Sequence, residues 1–399
     1  MPVRPGEEET PLLSENECQT AESATEGHPD KVCDLLSDSI LDALLARDRY
    51  ARASCDCLVA TGLVLVAGEV STRSWIDITG VVRGVLRDIG YDDPSEGFDY
   101  QSCAVLVLVN EQSPELALAV DRRGAGDQGL MVGYATDEGS DLPGGTDLMP
   151  VPIWLANRLA ERLARVRKDG TLPYLRPDGK SQVTVAYEGG VPVRVQTAVL
   201  CAQHRAGVDP EALRADLARE VLAPVLEPTG LWRPGEAAVH TNPTGTFVHG
   251  GPRCDVGLTG RKIVADCYGD ACRHGGSSFS GKDPTKTDRS AAYAARWMAK
   301  NVVAAGLARS CEIRLAYILG RPEPVSVTVR TFGTGRLPDP ELRDVLAREF
   351  DLSPAGVLDA LDLRRPIYAK TAAYGHFGRP GLDFPWERTD RADDLKRHL

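Results

Sequence analysis

Strand-like and helix-like segments alternate in three successive sets along the 399 residues of this chain, which leaves few architectures open. The first set begins at Pro29 to Asp48, where Val32, Leu36, Ile40 and Leu44 recur at helical spacing and Pro29 suits the first helical position. Ser54 to Val66 reads as a strand, Ser74 to Asp88 as a helix and Gln101 to Val109 as a buried strand. In the second set, Asp147 to Lys168 predicts a helix, and Lys180 to Tyr187 and Val191 to Cys201 predict a hairpin turning at Gly189-Gly190. Pro210 to Leu226 is again helical. The third set predicts a strand over Lys262 to Cys267, a helix over Arg289 to Gly306, strands over Cys311 to Leu319 and Val325 to Phe332, and helices over Asp339 to Phe350 and Ser353 to Leu361. The fold class is therefore α+β: three similar α/β-type domains, each a small mixed sheet packed with helices. We place them at 18–116, 124–246 and 247–390, after a disordered acidic leader at 1–17.

Chemistry concentrates in Gly275 to Arg289. Glycines there let main-chain N–H groups close on an anion, and Lys282, Lys286 and Arg289 supply cations at a pitch of four then three. The chain carries a net charge of −11, yet Gly250 to Ser290 holds seven Lys/Arg against five Asp and eight of the 39 glycines. A polyphosphate ligand follows from that local reversal. Gly276-x4-Gly281-Lys282 is not a P-loop, because Asp283 stands where a hydroxyl must hold magnesium and no strand precedes it. Gly124-Ala125-Gly126-Asp127-Gln128-Gly129 matches a dinucleotide fingerprint, but Arg122-Arg123 precede it and a strand-like run follows.

His28, Pro29 and Asp30 read as a helix entry. Capping alone explains them; a histidine that donates to a developing oxyanion is the functional alternative. Asp30 would repel a phosphate there unless a hard cation bridged the two, and Asp288 is the natural second carboxylate. Asp34, Asp38 and Asp42, spaced at four, read as a solvated helix face. Glu69 closes an apolar strand and needs a partner there: a structural ion pair or a substrate ammonium. Gln112, Asp127, Asp178, Lys180 and Asp255 fall in Gly/Pro-rich connections, where binding residues concentrate. The ten cysteines form no CxxC pair or zinc spacing and read mostly as buried free thiols. No apolar run is long enough for a membrane helix, and the acidic charge argues against nucleic acid, so we expect a cytoplasmic protein with neither partner.

Taken together, EGHPDK (Glu26 to Lys31), GAGDQG (Gly124 to Gly129), LRPDGKSQV (Leu175 to Val183), GLTGRKI (Gly257 to Ile263), HGGSSFSGKDPTKTDRSAAYAAR (His274 to Arg296) and YGHFGR (Tyr374 to Arg379) resemble the S-adenosylmethionine synthetase family from about Glu22 to Asp390. The resemblance implies the fold of that family and a transfer in which methionine sulfur attacks C5′ of ATP, followed by cleavage of the expelled triphosphate to pyrophosphate and phosphate. It implies that His28, Lys180, Arg261 and Lys282 are catalytic. Asp127, Asp178, Phe247, Asp255, Lys262 and Ser278 would join them on ATP, and Glu69, Gln112, Asp255 and Lys286 on methionine. Two Mg²⁺ per site on Asp30 and Asp288, with weaker support from Glu22, and K⁺ on Asp56 are also implied. So is a homodimer with shared active sites, assembled as a dimer of dimers. Four positions depart from the family pattern: Asp56 in place of glutamate, Thr246 in place of arginine, Ser277-Ser278 in place of Gly-Ala, and a shortened lid between Gln112 and Gly124. A nucleotide-binding regulatory paralogue that no longer transfers is the alternative, and a polyphosphate hydrolase a further one.

Overall fold

The computed structural model describes residues 17–111 and 124–398. Strand β1 (Cys18–Ala24) leads into helix α1 (Pro29–Leu45). His28 caps α1 in an extended conformation, its ring accepting the Asp30 N–H, and Pro29 contributes a preset φ to the first turn. Strands β2 (Arg52–Ala60) and β3 (Leu63–Ser71) follow, then helix α2 (Ile78–Ile89) and β4 (Ala104–Asn110). The expected single strand from Ser54 to Val66 is thus a hairpin. Thr61-Gly62 forms its two-residue turn, with Gly62 at φ 66°.

Beyond 124 come β5 (Gly129–Thr136), α3 (Val151–Lys168), β6 (Leu175–Glu188) and β7 (Val191–His204). Helix α4 (Pro210–Leu217) continues through a π turn at Ala218–Leu222 into α5 (Ala223–Leu226). Short strands β8 (Ala238–Thr241) and β9 (Gly257–Leu258), a helical turn α6 (Ile263–Asp266) and the long α7 (Thr287–Ala304) come next. Strands β10 (Ser310–Tyr317) and β11 (Ser326–Arg330) and helices α8 (Asp339–Glu349), α9 (Pro354–Ala360) and α10 (Ala392–Lys396) complete the chain. The strand expected over Lys262 to Cys267 is therefore the helical turn α6, closed by the Asp266 N–H on the Lys262 carbonyl at 2.9 Å. The apolar run Ile263-Val264-Ala265 is short enough to satisfy either geometry.

The three small sheets exchange strands across the sequence. Their orders are β4-β3-β2-β9, β1-β6-β7-β8 and β11-β10-β5. Thus β1 pairs with β6, β9 with β2, and β5 with β10. One core joins α1, α2 and the β2–β3 hairpin to α7, β10 and α8; a second lies between α3, the β6–β7 hairpin and α4. Close approach is built in at Gly133 of β5, where a Cβ would lie 2.0 Å from the Ala295 carbonyl carbon of α7.

Two further expectations are overturned. Strand β4 is not buried: Leu106 and Leu108 are 52% and 62% exposed. The Asp34, Asp38 and Asp42 face is not solvated. Asp34 and Asp38 are fully buried and Asp42 half-buried, because loops from far along the sequence lie over that side of α1.

Candidate active site

The cap that starts α1 also presents its first chemical group. The Asp30 N–H lies 3.2 Å from His28 Nδ1, so that nitrogen is the acceptor. Burial, reinforced by the Lys262 ammonium, pulls the His28 pKa down to about 3. A neutral ring with Nδ1 accepting carries its proton on Nε2, a hydrogen-bond donor. Asp30 Oδ2 meets Lys262 Nζ at 2.6 Å, and Oδ1 accepts the Leu258 N–H at 3.1 Å with Arg261 Nη1 3.6 Å away. Burial pushes the Asp30 carboxyl up, but the Lys262 and Leu258 hydrogen bonds outweigh it and leave it below its usual value. Lys180, across the β1–β6 ladder from Ala24, is 3.6 Å from the Glu22 carboxylate, and its charge also acts on His28. His28, Asp30, Lys180, Arg261 and Lys262, with Glu22 at the edge, therefore form one group.

A second group surrounds the start of α7. Lys282 Nζ pairs with Asp288 Oδ2 at 2.7 Å, and Ser277 Oγ donates to Asp288 Oδ1 at 2.8 Å. Lys286 is held 3.0 Å from Asp283, a buried carboxylate that also accepts the Ala53 and Thr285 N–H groups at 2.9 and 2.8 Å. Asp283 thus pins this loop to β2, a role unlike the magnesium-binding hydroxyl of a P-loop. Exposed Asp56 on β2 lies within the field of the Lys282 ammonium. A Cβ on Gly129 would lie 3.0 Å from Asp288 Oδ1, so the Gly124–Gly129 segment adjoins this group; its Asp127 is exposed, and the carboxylate accepts the Gln128 N–H at 2.7 Å. Glu69 is half-buried opposite Ser54 on β3, and its carboxylate has no partner among the described residues. Gln112 and the expected lid lie outside the described residues.

Asp178, Phe247 and Asp255 sit around the turn at Gly250-Gly251. Buried Asp178 accepts the Gly251 N–H at 2.8 Å; burial, with Asp255 adding repulsion, pushes it up to about 6. Phe247 is clasped by His204, which donates its N–H to the Phe247 carbonyl at 3.0 Å while Nε2 accepts the Phe247 N–H at 3.1 Å. Asp255 is exposed. Half-buried Ser278 packs against Gly260, where a Cβ would lie 2.5 Å from Ser278 Cβ, so the two cation-bearing loops abut. Among the described residues, no hydrogen bond or ion pair joins the His28 group to the Lys282 group directly.

Sequence reasoning missed the acidic side of α1. Asp34 Oδ1 accepts the Gly260 N–H at 2.8 Å, Asp38 Oδ1 the Gly281 N–H at 2.9 Å, and Asp42 the Tyr368 and Ala369 N–H groups at 2.9 and 2.8 Å. The available signal was a helix apolar on one face and carrying carboxylates at every fourth position on another.

Matches to known proteins cover the described residues almost completely. The N-terminal, central and C-terminal domain models of S-adenosylmethionine synthetase match residues 16–114, 122–247 and 249–388. The chain is 55% identical over 391 residues to an S-adenosylmethionine synthase of Desulforudis audaxviator, covering 94% of this chain and 97% of that one. A Thermus thermophilus synthase is likewise 55% identical over 393 residues, 95% and 97% of the two chains, and one from Leifsonia xyli is 54% identical over 392 residues, 94% and 97%. With all three domain models matched in order and relatives of this identity along nearly the whole length, the chain belongs to the S-adenosylmethionine synthetase family.

Proposed function

We propose that this chain forms S-adenosyl-L-methionine from L-methionine and ATP and then splits the tripolyphosphate into pyrophosphate and phosphate. The observation that carries the reading is His28: a neutral ring whose Nδ1 is occupied by the Asp30 amide and whose Nε2–H is left as a donor beside Asp30, Lys262 and Arg261. In the transfer a methionine sulfur lone pair forms the S–C5′ bond while the C5′–O5′ electron pair leaves with the triphosphate. His28 Nε2–H donates to that departing O5′. Lys180, Arg261, Lys262 and Lys282 meet the growing charge on the phosphates, so the contribution of the protein is orientation and preorganised charge. Asp178, Phe247, Asp255, Ser278 and Asp127 hold the nucleotide. Glu69, Gln112, Asp255 and Lys286 hold methionine, the Glu69 carboxylate, without a partner among the described residues, being suited to its ammonium.

The donor set fits magnesium. Asp30 and Asp288 are hard carboxylates set directly beside phosphate-facing lysines, and Mg²⁺ is commonly held by one or two carboxylates plus substrate phosphates. Asp30 and Asp288 would hold two Mg²⁺ per site, Glu22 would support them from its more exposed position, and Asp56 would serve K⁺. Bound there, the cations would neutralise triphosphate charge. Sharing of the site between two copies is supported by uncovered apolar surface beside it: Leu106 and Leu108 of β4, Leu130 of β5, and Leu258 of β9, next to Arg261. A homodimer, assembled as a dimer of dimers, would cover that surface. Among the described residues no helix is long and apolar enough to cross a membrane. We place the enzyme in the cytoplasm, with no nucleic-acid or membrane partner.

The test is incubation with ATP and L-methionine, following sulfonium product, pyrophosphate and phosphate together. Equimolar appearance of all three is expected. Phosphate without sulfonium would replace this reading with a polyphosphate hydrolase, and ATP binding without either product would replace it with a regulatory paralogue.

A further inference from the structure

Helix α1 bears four carboxylates at a spacing of four residues, which sets them about 6 Å apart along one face. The first, Asp30, belongs to the site. The next two are fully buried, and each accepts from a glycine amide in one of the two cation loops. Gly260, bound by Asp34, immediately precedes Arg261 and Lys262; Gly281, bound by Asp38, immediately precedes Lys282. Neither carboxylate is a bare charge. Asp34 Oδ2 takes Lys31 Nζ at 2.8 Å, and Asp38 takes both guanidinium nitrogens of Arg289 at 2.6 and 2.8 Å. Charge compensation alone would need no glycine amides; these are additional bonds, directed to the residues that precede the cations. Further ties run the same way: Ser37 Oγ lies 2.8 Å from Thr259 Oγ1, and Arg289 Nη1 donates to the Lys282 carbonyl at 3.1 Å. At Gly281 the backbone is too close for any other residue: its φ is 81°, and a Cβ would lie 2.0 Å from the Cys55 carbonyl oxygen.

We infer that Asp34 and Asp38 are positioning residues for triphosphate binding, each anchoring one cation loop to α1 so that Arg261, Lys262 and Lys282 keep a fixed station relative to His28. The inference rests on the proposed function and extends it to two residues that need touch no substrate. Removing such a support displaces the groups it holds, and the loss should fall on phosphate affinity and turnover, leaving methionine recognition by Glu69 largely intact.

The test compares Asp34→Ala and Asp34→Asn, and the same pair at Asp38, by calorimetric binding of tripolyphosphate to the folded protein and by KM for ATP and for methionine. Each alanine variant should lose ~10–100-fold in tripolyphosphate affinity, as supporting-shell removals do, while the methionine KM changes little. Asparagine should recover only part of the loss: its oxygen still accepts the glycine amide, but its NH2 replaces the oxygen that meets Lys31 Nζ or Arg289 Nη2. Parental affinity in a folded alanine variant, or equal losses in asparagine and alanine that track the melting temperature, would overturn the assignment. The parental protein supplies a second readout that survives a misfolding variant. Its Gly260 and Gly281 amides should exchange with solvent as slowly as the α1 amides, and exchange at exposed-loop rates would also overturn it. Lys282→Ala is the control: if it binds tripolyphosphate like the parent, the placement of the phosphate site is at fault, not the anchors.

Discussion

Lys282→Ala tests the phosphate site with the least disturbance to the fold. The loop does not depend on this side chain for its path. Gly281 N–H is held by Asp38, the Lys282 carbonyl by Arg289, and Asp283 by the Ala53 amide, and all three survive truncation. What disappears is the ammonium 2.7 Å from Asp288, with side chains 22% and 13% exposed. The pair is largely shielded from water, but Asp288 keeps the Ser277 hydroxyl after truncation, so the loss should be about 1–3 kcal/mol and melting should fall by several degrees at most. The effect on catalysis should be larger. One preorganised charge contact to a developing anion typically supplies ~2.7–4 kcal/mol, a loss of roughly 10²–10³ in kcat. Both sulfonium formation and hydrolysis of added tripolyphosphate should drop, because the proposed station of the ammonium is against phosphate in either reaction. Lys282→Arg should recover part of each, retaining charge while changing its reach and shape. Near-parental turnover of Lys282→Ala at saturating ATP, methionine and magnesium, with the protein folded, would refute the placement of the triphosphate against this loop.

His28→Asn should cost sulfonium formation ~10²–10³-fold and spare most tripolyphosphate hydrolysis, because the proposed target of the ring is O5′; equal damage to both activities would reduce His28 to its capping role. Asp56→Glu should sharpen activation by potassium, since the longer arm reaches an ion without an intervening water, and superimposable potassium titrations would remove Asp56 from the cation site. Asp42 offers a pH test of the buried carboxylates: burial raises it from 3.8 to about 6, so the folded chain holds a proton that the unfolded chain releases, and this contribution is present at pH 4 and lost as pH passes 6. Asp42→Asn removes the slope, so its stability relative to the parent in urea melts should improve by ~2 kcal/mol between pH 4 and 7; a pH-independent difference would contradict the raised, half-buried setting of Asp42.

Elements set by local rules were legible in the sequence. Proline at the first helical position and a polar cap place the start of α1, and Gly189-Gly190 marks the β6–β7 hairpin in both descriptions. The β2–β3 turn was there to be read as well, but Thr61-Gly62 is flanked on both sides by apolar, β-branched residues and merged with them into one strand. Strand β4 shows a different limit. An apolar run predicts that something will cover it, not that the same chain will, and Leu106 and Leu108 remain exposed here. The strand exchanges among the three sheets were not legible at all, since β1 meets β6 and β9 meets β2 across some 160 and 200 residues, and neither pairing leaves a local trace.

The site divides the same way. The glycines, lysines and aspartates proposed to surround the polyphosphate fall within contiguous stretches, because a loop closing on an anion takes several donors from neighbouring residues; His28, Asp30, Lys282 and Asp288 could be proposed on that ground. Their supports could not. The spacing of Asp34, Asp38 and Asp42 fits a solvated helix stripe as well as a buried one, and only the arrival of Gly260, Gly281 and Tyr368 from 226, 243 and 326 residues away decides between them. A carboxylate is costly to bury unless every oxygen is met, and on α1 the amides that meet them include those of the two cation loops. The burial that hid these residues from a sequence reading is therefore the same interaction that holds the loops of Arg261, Lys262 and Lys282 against the helix carrying His28.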